Sequence, residues 1–195
     1  MDEHAEKKES IRNDIRKLID SLSEKERLKK TREIENRLFE FANFLESKIS
    51  LLYVNKKYEI GTREIIRRCY QNGKILVLPV FKPEKRDMDL MKVDNPNTDL
   101  KLGQRGILEP DPRVCKAVPI DYIDIAIIPG IAFDEKGGRI GSGEGYYDRL
   151  IPKLPITTRK VALSFESQLT PAIPMESHDR YVDIIITEKR IIYKI

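Results

Sequence analysis

The sequence predicts a three-layer α/β/α fold built on a largely parallel sheet, and three observations carry that prediction. Short apolar runs alternate with segments of helical periodicity, the pattern of a sheet with helices on its faces. The runs Ile49–Val54, Ile75–Val80 and Ile123–Ile128 are nearly continuous in their apolar character, as buried strands are. A glycine-rich stretch follows the third run, at the carboxyl end of a strand, where open α/β sheets place their ligands.

Ile11, Ile15, Leu18, Ile19 and Leu22 recur at helical spacing, which predicts a first helix over Glu6–Leu22. Ser23 followed by Glu26 forms a capping box that opens a second helix, with the stripe Leu28, Ile34, Leu38, Phe41 and Leu45. After the strand Ile49–Val54, Thr62 caps a third helix through Cys69 and Tyr70, and Asn72-Gly73 stops it. Ile75–Val80 is the second strand, Met88–Val93 another, and Asp94–Pro112 reads as an ordered loop. Ile123–Ile128 ends in Pro129-Gly130, and a helix beyond the glycines carries Tyr146, Tyr147 and Leu150. Val161–Phe165 and Tyr181–Thr187 complete the strands. With no repeat, linker or low-complexity tract, residues 1–195 are expected to form a single catalytic domain.

Composition narrows the classes of partner. The 36 basic and 32 acidic residues leave a net charge of +4, too balanced to imply nucleic-acid binding, but compatible with a local basic pocket for small anions. No apolar run approaches the ~20 residues of a membrane span, and the polar start MDEHAEKKES is unlike a secretory signal. Cys69 and Cys115 form no CxxC, which disfavours a zinc site or a disulfide framework. A cytoplasmic monomer acting on small molecules, away from membranes and nucleic acids, is expected.

The stretch that carries chemistry is Pro129-Gly130-Ile131-Ala132-Phe133-Asp134 with Gly137-Gly138-Arg139-Ile140-Gly141-Ser142-Gly143-Glu144-Gly145-Tyr146-Tyr147-Asp148-Arg149. Alternating glycines let backbone N–H groups approach a phosphate, and the start of a helix beyond them adds partial positive charge. The stretch fits neither the Walker A loop nor the dinucleotide fingerprint. On spacing alone it is either a phosphate cradle or a turn that caps a helix. Asp148 can cap backbone groups, pair with Arg149, or hold Mg²⁺ beside phosphate oxygens.

The same string, PG-x-AFD…GGRIGSGEGYYDR, resembles the signature of the 5-formyltetrahydrofolate cyclo-ligase family, also called 5,10-methenyltetrahydrofolate synthetases. Lys8-x-x-x-Arg12, Tyr58-Glu59-Ile60, Gly106-Ile107-Leu108-Glu109-Pro110 and His178-Asp179 follow in the family's order, so the likeness spans essentially the whole chain. It implies a fold similar to that of sugar-phosphate isomerases and CoA-transferase-like proteins. It also implies Mg²⁺- and ATP-dependent cyclisation of 5-formyltetrahydrofolate, with ATP and the folate as small-molecule substrates.

Carried over by motif, the resemblance implies that the segment Lys8, Glu9, Ser10, Ile11 and Arg12 binds ATP, with Lys8 and Arg12 one helical turn apart on its phosphates. It assigns Arg139, Ile140, Gly141, Ser142, Gly143, Glu144, Gly145, Tyr146 and Tyr147 to the same nucleotide. Glu59, Val54 and Tyr146 would contact the folate, and Asp148 and Asp179 would hold the metal. Two positions depart from the pattern: Arg105 stands where the family often has an aromatic residue, and Glu144 where Gly or Lys is common. Rival readings are a folate- or nucleotide-binding protein without turnover, and a metal-independent isomerase on the same fold.

Overall fold

A computed structural model describes residues 3–194; Met1, Asp2 and Ile195, the ends of the expected 1–195 domain, lie outside the described residues. The chain runs α1 (Glu3–Ser21), α2 (Glu24–Glu40), α3 (Ala42–Glu46), β1 (Ile49–Leu51), α4 (Arg63–Gln71), β2 (Ile75–Lys82) and β3 (Asp87–Val93). It continues through β4 (Leu100–Leu102), β5 (Leu108–Pro110), β6 (Lys116–Ala117), β7 (Ile125–Ile128), β8 (Ala132–Phe133) and β9 (Arg139–Ile140). The last elements are α5 (Tyr146–Leu150), β10 (Arg159–Leu163), β11 (Ile184–Ile186) and β12 (Ile191–Tyr193).

Eight strands form one sheet in the order β12-β11-β10-β7-β1-β2-β3-β6. Its centre, β11 through β2, is parallel, and β12, β3 and β6 add antiparallel margins. All four residues of β7 and all three of β11 are buried without alternation. Both faces of the sheet are therefore covered, as the apolar runs require. Helix α4 packs on β2, α2 on β11 and α5 on β3.

The winding sets the site. From β1 the chain crosses to β2 on one side, and the later parallel strands β7, β10 and β11 build outwards on the other. The sheet therefore reverses its order between β1 and β7, and a crevice opens at their carboxyl ends. The β1 ladder extends one bond further, Leu52 N donating to Val77 O, before Tyr53 and Val54 leave the sheet. The expected strand Ile49–Val54 is thus only Ile49–Leu51, because its last residues turn into the crevice.

The Ser23–Glu26 capping box is present in full. The second helix does not run on to Leu45, however. Phe41 adopts an extended backbone and splits it into α2 and α3. That break shifts the phase, so Phe44 is fully buried while Leu45 is exposed. A buried ring of this kind contributes about 1.5–3 kcal/mol, enough to override a continuous stripe. Thr62 stands at the start of α4, but its hydroxyl donates to Tyr53 O instead of capping the helix. The expected loop Asp94–Pro112 contains the hairpin β4–β5, and the margins β6 and β12 were not expected. Helix α1 rests on a smaller apolar cluster, where Ile15 and Ile19 meet Ile131, Ala132, Ile140 and Ile173.

Candidate active site

A cleft of about 350 Å³ lies over the β1–β7 reversal. Its walls include Lys8, Arg12, Val54, Glu59, the whole stretch Arg139–Asp148, and Asp179. Thus residues from both ends of the chain and from two strand ends share one space. Glu9, Ser10 and Ile11 do not line it. The Glu9 carboxylate accepts from Arg12 and Arg16, Ser10 is exposed, and Ile11 packs into the cluster beneath α1. Helical geometry explains the split, because residues four apart share a face and those between them turn away.

Cations converge from several elements. Arg12 on α1 donates through Nε to Gly141 O at 2.9 Å, which ties the helix to the glycine-rich loop. Arg139 on β9 is 4% exposed and donates to Pro129 O at 3.1 Å and to Asp148 Oδ1 at 2.8 Å. A Cβ at Gly141 would stand 2.8 Å from the Arg139 guanidinium, so only glycine leaves that arginine its place. Gly143 and Gly145 have φ of 99° and 70°, in the left-handed region that favours glycine. The expected contribution of a helix start is small, since α5 has only five residues. The positive field comes from side chains instead.

Asp148 neither pairs with Arg149 nor caps its own helix. Its Oδ1 accepts from Arg139 and, at 3.1 Å, from the backbone N–H of Arg180; among the described residues its hydrogen bonds all fall on that oxygen. Asp179 is half-buried, and its Oδ2 accepts from Lys8 Nζ at 2.5 Å and from Glu176 N at 2.8 Å. Lys8 also reaches Glu176 at 2.5 Å. Burial works against the Asp179 carboxylate, but the bonds from Lys8 and the Glu176 N–H, with the charge of Lys8, together outweigh it and keep the pKa below the ordinary range. Among the described residues, Glu176, His178 and Asp179 form a group close enough to meet one ion, and Asp148 is not a member of it. The two expected metal ligands therefore line one cleft without forming a single ligand set.

On the opposite wall Glu59 is half-buried, and Oε2 accepts from Lys56 N at 2.8 Å. Burial pushes its carboxyl above the ordinary value. Among the described residues the buried Tyr147 hydroxyl has no hydrogen-bond partner, and burial followed by the nearby Glu59 drives its pKa up. Arg105 lies 3.9 Å over the Phe81 ring and 4.9 Å over that of Tyr146, so its guanidinium is layered against aromatic faces. Sequence reasoning missed Tyr53, Lys56, Phe81, Ile107 and Glu176 as wall residues. Only Lys56, three residues before Glu59, carried a signal that proximity could have found.

Residues 4–188 match the sequence profile of the 5-formyltetrahydrofolate cyclo-ligase family. A 5-formyltetrahydrofolate cyclo-ligase from Mus musculus is 28% identical over 192 residues, covering 93% of both chains. One from Haemophilus influenzae is 29% identical, covering 90% of this chain and 95% of its own. Among solved structures, the 5,10-methenyltetrahydrofolate synthetase of Aquifex aeolicus superposes with a TM-score of 0.84 at 30% identity, over 96% of this chain and 92% of that one.

Proposed function

The chain belongs to the 5-formyltetrahydrofolate cyclo-ligase family, and from that premise we propose that it closes 5-formyltetrahydrofolate to 5,10-methenyltetrahydrofolate at the expense of ATP. The observation that carries the reading is the meeting of Lys8, Arg12, Arg139 and Asp148 with Glu59 in one cleft at the sheet's reversal point. A formyl group on nitrogen is amide-like, with a weakly electrophilic carbon and a poor leaving oxygen. Transfer of the γ-phosphoryl group to that oxygen gives ADP and a good leaving group. N10 then attacks the carbon, the C–O bond breaks, phosphate departs, and N10 gives up its proton.

Each wall has work in this scheme. Arg12 and Arg139 neutralise phosphate charge, and the glycine-rich loop lets its backbone approach the polyphosphate. Lys8 shares its charge with Glu176 and Asp179, so it meets phosphate from a partly neutralised position. Glu59 faces the pterin, where a carboxyl can accept from amino and ring N–H groups. Val54 and Tyr146 give that ring an apolar bed.

The donor set at Asp148 fits a magnesium ion, because a carboxylate with oxygens to spare beside phosphates is how proteins commonly hold it. When bound, the ion would screen phosphate charge and orient the transferred group. Asp179 fits less well while Lys8 holds its Oδ2. Cytoplasmic location, the single-domain organisation and action as a monomer belong to the same reading. Among the described residues no helix is long and apolar enough to cross a membrane.

The test is a spectroscopic assay of purified protein with ATP, Mg²⁺ and 5-formyltetrahydrofolate, since the conjugated methenyl product absorbs where the substrate does not. ATP-dependent appearance of that absorption is expected. Its absence at high enzyme concentration would refute the activity and favour a binding protein without turnover.

A further inference from the structure

Three segments from distant parts of the chain meet on one carboxylate at the solvent edge of the cleft. Lys56, from the segment after β1, places Nζ 2.6 Å from Glu144 Oε2. Arg105, at the turn between β4 and β5, donates to both oxygens of Glu144, through NH2 to Oε2 and through Nε to Oε1 at 3.3 Å. Ser142 adds a hydroxyl at 3.0 Å. Arg105 does not depend on this bond for its place. Its guanidinium rests against both the Phe81 and the Tyr146 ring, and its side chain is only 10% exposed. The turn beneath it is tight, with Gly103 N bonded to Ile107 O and Gly106 at φ 73°.

We propose that Lys56 and Arg105 form an oxyanion subsite of this cleft, and that Glu144 competes for it with a phosphate or carboxylate of the bound ligand. Two cations aimed at one oxygen, one of them fixed by aromatic faces, make a receptor whose geometry suits either group. Glu144 is the most exposed of the three, with its side chain 40% exposed on a glycine-flanked loop. An entering oxyanion takes its two cations and turns the Glu144 carboxylate out to water. Burial raises the Glu144 pKa, but bonds from Arg105 and Lys56 outweigh it and bring it down to about 2. The competitor is therefore charged at every working pH. The inference rests on the function proposed above for the two substrates it names: the oxyanion is a phosphate if it comes from ATP, and a glutamyl carboxylate if it comes from the folate tail.

The experiment is calorimetric titration of the full chain and its Glu144→Gln variant with Mg-ATP, 5-formyltetrahydrofolate bearing one or three glutamates, and inorganic tripolyphosphate. Partly exposed ion pairs are weak, so relief of the competition is expected to tighten binding about 3- to 10-fold. Glu144→Lys, which adds a third cation, is expected to gain more. The gain must vanish in Glu144→Gln combined with Lys56→Gln and Arg105→Gln. A gain for ATP alone assigns a phosphate to the subsite, and a gain that grows with the glutamate tail assigns a carboxylate. Should Glu144→Gln fail to fold, Glu144→Asp, too short to reach both cations, is expected to show a smaller gain of the same sign. No gain for any of the ligands, or a gain that survives removal of both cations, overturns the subsite. Tripolyphosphate separates the two readings, because a gain with it while neither substrate binds would refute the proposed function and leave the subsite standing.

Discussion

Replacing Lys8 by Met tests the site and the fold together. Lys8 is 8% exposed and bridges Glu176 and Asp179 at 2.5 Å each. Removal leaves two half-buried carboxylates side by side, with the exposed His178 as the basic group still beside both. An exposed pair would cost at most about 1 kcal/mol, whereas breaking a fully buried one costs about 3–5 kcal/mol. The partial exposure of Glu176 places this triad between those limits, at about 2–3 kcal/mol. For a chain of this size that lowers the melting temperature by about 5–10 °C.

The pH dependence carries the sign. Asp179 has a depressed pKa, so its stabilisation is present above the unfolded value near 3.9 and is lost as pH falls through the folded one. Burial lowers the Lys8 pKa, but bonds to Asp179 and Glu176 outweigh it and raise it overall. The Lys8 contribution is therefore present below the ordinary lysine value and lost as pH rises through the raised one. In Lys8→Met the bared acids can take up protons near pH 4, so the deficit should shrink between pH 7.5 and pH 4. Thermal denaturation followed by circular dichroism at both values measures it. An unchanged melting temperature at pH 7.5, or a deficit that widens on acidification, would refute the ion-triad reasoning. If Lys8 also meets transition-state charge, turnover at a temperature where the variant is folded should fall about 10²-fold or more.

Glu59→Gln should weaken folate binding about 10- to 10²-fold, as expected for the loss of a charge-assisted bond, with ATP binding nearly intact; separate titrations would show the opposite selectivity if the pocket is misplaced. Asp148→Asn should weaken Mg-ATP while sparing folate, and chelation should abolish turnover until Mg²⁺ is restored; full activity in excess chelator would remove the metal from the scheme. Cys69 is fully buried, and burial pushes its thiol up to about 12. Alkylation followed by mass spectrometry should find it inert at pH 8 in the native protein and reactive after unfolding, and rapid native labelling would contradict the packing of α4.

The sheet's centre was legible because β2, β7 and β11 are nearly continuous apolar runs, the pattern of strands covered on both faces. Of the margins β3 was legible as Met88–Val93, whereas β6 and β12 were not, because β6 has two residues and β12 exposes Tyr193. The hairpin β4–β5 hid for a similar reason. Its outer residues Leu102 and Leu108 are exposed, so hydrophobicity there marks no core. In the site, Lys8 and Arg12 share a face that helical spacing predicts. The partners of Lys8, Glu176 and Asp179, lie 168 and 171 residues away, a separation that no local pattern encodes. The cations that meet Glu144, Lys56 and Arg105, come from segments far from it in sequence, so no local pattern accounts for an acid among those glycines.

Helix α1 has a consequence for how the protein is made. Asp20 on it meets Lys57 and Tyr58, but the partners that seat Lys8, Arg12 and its apolar face are Glu176, Asp179, Gly141 and the cluster that includes Ile140 and Ile173, all from the later part of the chain. Synthesis delivers the N-terminus first. The helix that carries Lys8 and Arg12 therefore leaves the ribosome early, and its docking surface is complete only once residues 131–179 have followed. The parallel centre from β1 to β7 can pair in that interval, but the cleft cannot be complete before Asp179 emerges. A nascent chain stalled short of Glu176 would hold much of its sheet and none of its Lys8 bridge.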